Sequence, residues 1–224
     1  MNKFHLPKLN KINTLTSGKF RRFASNEYIL PDGSIKTCET LNTSNNAKYA
    51  HGIGAIPIIK QTKQIILIEN FRYPINKKCI EFPSGLYEDN ELKYSSNEEI
   101  NKIAIEAIKR ELKEETGYYG EFVNFFTLPE NDTFAGKFFG DVYADPWKSN
   151  DSTVMALFFI DLEKNKEHKQ QLEDSEFIKV YLVDMENFLD FLYQKAKEGY
   201  AIRKNLYSLA IGLNFDEFSD FTFE

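Results

Sequence analysis

The sequence predicts an α+β domain, a mixed β-sheet with helices packed on it, preceded by a small antiparallel β-region. Three observations predict it. The β-rich runs "AIPIIK", "QIILIENFRYP", "GEFVNFFTL", "STVMALFFIDL" and "EFIKVYLV" are interrupted by one long helical stripe. A Pro-Asp-Gly turn near the N-terminus sits between two further β-rich runs. Two helix-like segments, "MENFLDFLYQKAKEG" and "AIRKNLYSLAIGLN", follow the last strand.

Taken in order, the first dozen residues read as a loose arm. "KFRRFASNEYILPDGSIKTCETL" then reads as two strands joined by "PDGS". "TSNNAKYAHG" has the composition of a linker and divides the chain into an N-terminal arm and β-region, 1–50, and a main domain, 51–224. In the second part "QIILIENFRYP" is closed by Pro74, and "CIEFPSG" is a short strand stopped by Pro83 and Gly85. Ser96 and Glu99 form a capping-box pattern. From there Ile100, Ile103, Ala104, Ala107, Ile108 and Leu112 recur at the spacing of a helix lying on a core, and Gly117 suits its C-terminal cap.

Bulk composition narrows the function classes. The chain has 224 residues, 42% hydrophobic and 28% charged, which suits a soluble globular protein with a substantial core. A net charge of −6 argues against a partner held by nucleic-acid backbone charge, and no apolar run is long enough for a membrane span. Cys38 and Cys79 fit neither a metal site nor a disulfide framework, so a reducing, cytoplasmic setting is expected. The start is acid-poor, Glu27 being the first acid, as in a transit peptide; it is also Arg-poor, with Pro7 early. His5, His51 and His168 have no paired spacing, so neither a zinc site nor a Ser-His site is expected.

The chemistry gathers in "RELKEETGY", residues 110–118. Residues four apart on a helix share a face, so Glu111 and Glu115 project together and Glu114 lies beside them. Arg110 stands four before Glu114 and four after Glu106, placed to hold acids in fixed rotamers. Leu112 belongs to the apolar stripe, so the acids flank the core. Clustered carboxylates suit a hard cation such as Mg²⁺ or Mn²⁺, which can bridge diphosphate oxygens. Taken alone, the nonapeptide is equally what a solvated helix carries.

Its surroundings decide between these readings. Gly85, five residues, Glu91, and then Arg-Glu-Leu-Lys-Glu-Glu-Thr-Gly-Tyr resembles the Nudix box, with Tyr118 where an aliphatic residue is usual. The gap from Glu91 to Arg110 is eighteen residues, eleven more than the pattern, and "LKYSSNEEINK" (92–102) reads as an insertion in the loop before the helix. "ENFRYPINKKCIEFPSGL", "ADPWKSND", "EDSEFIKVYLV" and the helical end resemble the ADP-ribose pyrophosphatase, or ADP-sugar diphosphatase, branch of that family over most of residues 15–213.

That resemblance implies a Nudix fold, an α/β/α sandwich with a mixed sheet, and metal-dependent hydrolysis of a nucleoside diphosphate sugar such as ADP-ribose. It implies Glu111, Glu114, Glu115 and the carbonyl of Ser84 as ligands of Mg²⁺, with Mn²⁺ an alternative. Glu111, Glu115 and Glu176 would be the catalytic residues, Glu176 positioning or activating the attacking water, with Glu173 and Asp174 as rivals for that part. Arg72 would contact the diphosphate, or else simply cap a strand-end carboxylate. Glu91 supports its loop in this reading rather than binding metal. Members of the branch are typically homodimers whose N-terminal strands help build the partner's nucleotide pocket.

Base recognition is where the sequence departs from the branch. Phe20 offers one adenine platform, but Cys38 stands where the second aromatic falls, so UDP-glucose or another nucleotide is an alternative substrate. A nucleotide-sugar sensor with little turnover is the alternative of a different class. Trp147, the only Trp, is either a buried anchor or a stacking surface for the base or sugar. "ENDTFAGKFFGDVYA" (130–144) reads as a second insertion near the rim of the pocket. The Phe-rich acidic tail reads as a docked segment or a docking motif.

Overall fold

The computed structural model describes residues 6–19, 21–43, 52–86, 97–125, 142–143, 145–149 and 151–214. Its strands are β1 (Lys8–Ser17), β2 (Arg21–Ile29), β3 (Ile35–Thr43), β4 (Gly52–Ile59), β5 (Gln64–Arg72), β6 (Lys77–Glu81) and β7 (Ser84–Leu86). Helix α1 (Asn97–Thr116) follows, then β8 (Gly120–Phe125), β9 (Val142–Tyr143), β10 (Ser152–Ile160), β11 (Lys179–Asp184), helix α2 (Phe188–Lys197), β12 (Ala201–Ile202) and helix α3 (Lys204–Leu213). The described residues fall into two compact units: those within 1–52, 86–94 and 140–154, and those within 53–85, 95–139 and 155–224.

In the first unit β1, β2 and β3 form an antiparallel sheet in that order. The expected hairpin is present, and β2 pairs with β3 without a break from Arg21↔Thr43 to Ile29↔Ile35. Its turn closes because Gly33 takes φ +84° and the Asp32 carboxylate accepts hydrogen bonds from the Ser34 N–H (2.9 Å) and hydroxyl (2.6 Å).

Strand β1 corrects the loose-arm reading of the first dozen residues. Leu9, Ile12 and Leu15 recur every three residues, a spacing that fits no flat strand. Register shifts between Leu9 and Lys11 and between Thr14 and Thr16 each insert one residue. Leu9 therefore opposes Tyr28 while Ile12 opposes Asn26, so two positions three apart share a face. The turn 146–148 belongs to this unit too, and the Leu41 N–H on β3 donates to the Lys148 carbonyl at 2.8 Å.

The second unit is built on a mixed sheet whose main path runs β12-β6-β5-β4-β10-β8, with β11 on β5 and β7 on β4. The β6–β12 pair is parallel, whereas β4–β5, β5–β6, β5–β11 and β8–β10 are antiparallel. Ile65 through Ile68 are all fully buried, as a strand covered on both faces requires. Ile65 and Leu67 pack with Phe188 and Leu192 of α2 and Leu206 and Ala210 of α3, and Met155 and Leu157 of β10 join them. The alternate residues Phe158 and Ile160 face the other way and meet Leu112 of α1 around Gly120. Helices thus cover both faces, which is the expected α/β/α sandwich.

The stripe on α1 is buried as expected at Ala104, Ala107, Ile108 and Leu112. The helix begins at Asn97, so the second half of the 92–102 insertion lengthens the helix rather than the loop before it; Ser96 and Glu91 lie outside the described residues. The only helix ending in a described positive-φ glycine cap with close neighbours is α1, where Gly117 takes φ +82°. None of the described helices is long and apolar enough to cross a membrane.

Gly117 supplies a stability test. A Cβ there would stand 2.8 Å from the Lys169 backbone nitrogen, in addition to the left-handed backbone an L-residue disfavours. Gly117→Ala is expected to cost about 2 kcal/mol, read as a lower urea midpoint at unchanged slope.

Candidate active site

The candidate site lies in the second unit, where the β6–β7 corner meets the last two turns of α1. Glu115 is only 3% exposed, and its carboxylate accepts a hydrogen bond from the Ser84 N–H at 2.7 Å. The contact at Ser84 is thus made by its N–H; its carbonyl was the atom singled out from the sequence. Next to it, Gly85 gives room to Glu111. A Cβ on Gly85 would stand 2.1 Å from Glu111 Cδ and 2.3 Å from its Oε1, so the glycine's missing side chain is the space the carboxyl group occupies.

Arg110 organises the outer acids. Its guanidinium pairs with Glu111 at 2.9 Å and with Glu114 at 3.0 Å, the latter across the expected four-residue spacing. Glu106, the other acid four positions away, pairs with Lys109 instead at 2.8 Å.

The electrostatics are those of an acid cluster short of positive charge. Burial pushes the Glu115 carboxyl well above its ordinary range; the Ser84 bond opposes this, and Glu111, Glu81 and Glu176 add to it. Burial also raises Glu111, against the opposing charge of Arg110, and Glu114 and Glu176 raise it further. Glu176 therefore lies close enough for its charge to be felt by both Glu111 and Glu115. Its own carboxylate accepts the Glu173 N–H at 2.9 Å, a local turn that sets the loop's shape.

Arg72 stands at the end of β5 in a two-point ion pair with Glu81, at 2.7 and 2.8 Å. This is the carboxylate-capping geometry the sequence allowed for. Burial opposes the charge on Arg72, but the Glu81 pair outweighs it and holds the guanidinium above its ordinary pKa. Glu81 is 1% exposed and also meets Arg203, at 3.3 Å, from the turn before α3. Sequence reasoning assigned no role to Glu81 or Arg203. The available signal was a carboxylate inside the apolar run "CIEFP", a position that burial makes untenable without a cationic partner.

Of the residues that the sequence analysis set against the base or sugar, Trp147 belongs to the first unit. Phe20 lies outside the described residues. Trp147 is 75% exposed, which corrects the buried-anchor reading. It sits on a tight turn closed by the Lys148 N–H donating to the Asp145 carbonyl at 3.0 Å, with Lys148 Nζ 5.4 Å from its ring centre.

The donor set of α1 fits a hard divalent cation. It offers only carboxylate and backbone oxygens, and the buried Glu115 and half-buried Glu111 repel one another in a way a cation would relieve. Among the described residues no three acid, His or Cys side chains already converge on one point. Two of the three helix acids are instead held by Arg110.

One outcome follows without any ligand. A carboxyl group raised in the folded state contributes stability that is present below its unfolded pKa and is lost as pH rises through the folded one. Glu115→Gln removes that loss. At neutral pH in EDTA the variant is expected to be more stable than the parent by on the order of 1 kcal/mol, the gain shrinking as pH falls toward 4. Thermal unfolding across pH measures it.

Comparison with known proteins places this geometry. A model of the NUDIX domain matches residues 48–206. The ADP-ribose pyrophosphatase of Saccharomyces cerevisiae is 28% identical over 190 residues, 82% of this chain and 72% of that protein. An uncharacterized Nudix hydrolase of Schizosaccharomyces pombe is 32% identical over 167 residues, 74% of this chain and 70% of that protein. Among solved structures, an ADP compounds hydrolase has the same fold, with a TM-score of 0.58 over 86% of both chains at 17% identity. With the domain match covering well over half of its length and the box acids gathered against Ser84 and Gly85, the chain belongs to the Nudix family.

Proposed function

We propose that this chain hydrolyses the diphosphate bond of a nucleoside diphosphate sugar, with ADP-ribose as substrate and AMP and ribose 5-phosphate as products. The observation that carries the reading is the buried Glu115 beside the half-buried Glu111, set against a glycine and a backbone N–H at the end of "EFPSG". A polar helix on the surface has no reason to bury one carboxylate beside a second that repels it. The yeast relative named an ADP-ribose pyrophosphatase supports the substrate class.

Nudix hydrolases generally need divalent cations. We assign Mg²⁺, with Mn²⁺ able to replace it, held by Glu111, Glu114, Glu115 and the Ser84 carbonyl. Bound there, the cation would neutralise diphosphate oxygens and polarise phosphorus. The residues of this chain do the rest. Arg110 releases Glu111 and Glu114 to the ion and keeps their side chains on one face. Glu176 orients a water and takes its proton as the water attacks phosphorus in line with the leaving oxygen. Arg72, stiffened by Glu81, presents its guanidinium to the diphosphate. Phe20 and Trp147 supply flat surfaces for base or sugar, and a homodimer completes the nucleotide pocket with the N-terminal strands. A cytoplasmic setting agrees with two free cysteines, of which the buried Cys79 is pushed up to about 11 and stays a thiol.

The test is turnover of ADP-ribose, ADP-glucose, UDP-glucose and NADH by purified protein with Mg²⁺, Mn²⁺ or EDTA. Metal-dependent release of AMP from ADP-ribose is expected. Preference for UDP-glucose would move the specificity to the uridine side. Saturable ADP-ribose binding without turnover would make the chain a sensor, and no metal-dependent turnover of any diphosphate would sink the enzyme reading.

Two variants probe the site. Glu115→Gln is expected to lower kcat at least about a hundredfold, since it removes a charge from the ion's shell. Gly85→Ala displaces the Glu111 carboxylate and is expected to lower kcat/KM by about tenfold to a hundredfold, with unfolding shifted by less than about 1 kcal/mol. Parent-like kinetics in Gly85→Ala would show that the close approach to Glu111 is not needed.

A further inference from the structure

The proposed reaction uses one guanidinium on the diphosphate, and a second stands beside it. Strand β12 runs parallel to β6, with Ala201 opposite Cys79 and Ile202 opposite Ile80. Continuing that register sets Arg203 beside Glu81, and the Arg203 N–H donates to the Ile80 carbonyl at 3.1 Å. Ile80 and Ile202 pack toward α2 and α3. Side chains alternate along a strand, so Cys79, Glu81 and Arg203 belong to the opposite face, the one that α1 covers.

Both guanidinium groups close on a single atom. Arg72 Nη2 donates to Glu81 Oε2 at 2.8 Å while its Nε takes the other oxygen at 2.7 Å, and Arg203 Nη1 donates to the same Oε2 at 3.3 Å. Nitrogens that meet one oxygen at these lengths are also near enough to meet one phosphate group. Each guanidinium carries five N–H donors, of which Glu81 takes two from Arg72 and one from Arg203. The Glu81 side chain is sealed at 1% exposure, whereas those of Arg72 and Arg203 keep 37% and 42%.

The charges do not cancel. Two guanidinium ions face one carboxylate, and the two-point pair with Arg72 already satisfies it. Arg203 also works against the helix it precedes. It is the N-cap of α3, a place that favours Ser, Thr, Asp or Asn because their oxygens accept the first N–H groups. Arg has no acceptor, its positive charge opposes the helix dipole, and this cap makes no side-chain hydrogen bond. The neighbourhood is that of the candidate active site. After burial, Glu81 is one of the charges that raise Glu115. Burial and Glu81 raise the Cys79 thiol, and Arg203 and Arg72 both oppose them, so both positive charges reach this face.

We propose that Arg203 is a second substrate-binding residue, closing with Arg72 on the diphosphate, with Glu81 as their shared pivot. Two planar forks held on one buried acid suit a ligand with several oxygens and more than one negative charge. Arg72 is fixed by two short bonds, while Arg203, held by one longer bond, turns to the ligand at little loss. Naming the ligand as the substrate rests on the proposed activity; the clamp itself does not.

The full chain with Mg²⁺ is titrated calorimetrically with methylenediphosphonate, a diphosphate in which carbon replaces the bridging oxygen so that no hydrolysis follows. Saturable binding is expected, weakened about tenfold in Arg203→Gln, whose unfolding temperature stays within about 4 °C of the parent. With ADP-ribose the same variant is expected to raise KM more than it lowers kcat. A role confined to supporting Glu81 predicts that Arg203→Gln changes nothing once Glu81 is replaced. The clamp predicts that adding Arg203→Gln to Glu81→Gln still weakens binding at least threefold. Absence of saturable binding to the parent, parent-like affinity in Arg203→Gln, or an effect that vanishes in the Glu81→Gln background would overturn the clamp. Absence of any diphosphatase turnover together with the expected titration would strike the activity reading and leave a diphosphate-binding clamp.

Discussion

The candidate site depends on one close approach. The corner after β6 comes so near to α1 that a carboxyl group fills the space a single Cβ would need, and a backbone N–H reaches the next acid along. Everything else in the second unit serves that approach. Leu112, Phe158 and Ile160 press the helix to the sheet around Gly120, another point where a Cβ would stand 2.9 to 3.1 Å from its neighbours. On the opposite face α2 and α3 bury Phe188, Leu192 and Leu206, holding β5 and β6 from behind. The sandwich makes the sheet a stiff platform, and the acids inherit that stiffness.

The same approach explains why the acids sit in an unfavourable state on their own. Water is excluded from Glu115, and the nearest formal charges other than Arg110 and Arg72 are further carboxylates. Such stored repulsion is the common signature of a site shaped for a partner of opposite charge rather than for stability. Arg110 keeps the cluster quiet by pairing two of its members from the solvent side.

Much of this was legible in the sequence, and the reason is locality. The stripe on α1, the acid face and the glycine cap all follow from a period of 3.6 residues, and "PDGS" carries its turn in four residues. What was not legible depends on departures from a period or on distant partners. The three-residue spacing in β1 becomes a strand only through two bulges, and the bulges depend on pairing with β2. Trp147 looked like an anchor because a lone Trp is usually buried in part, yet it stands exposed on a tight turn. Glu81 and Arg203 are 122 residues apart, and no local pattern joins them.

That separation has a temporal side. Glu81 is buried beside Arg72, nine residues earlier, so half of its compensation is present almost as soon as it is made. The other half waits for Arg203. At roughly ten residues per second of synthesis, the interval is on the order of ten seconds. During it the β5–β6 hairpin has its own internal salt bridge, whereas the parallel strand β12 and the helix behind it are still to come. Among the described residues the last segment to join the sheet is therefore also the one that brings the second guanidinium to its buried acid, making arrival of α3 and completion of the charge balance a single event.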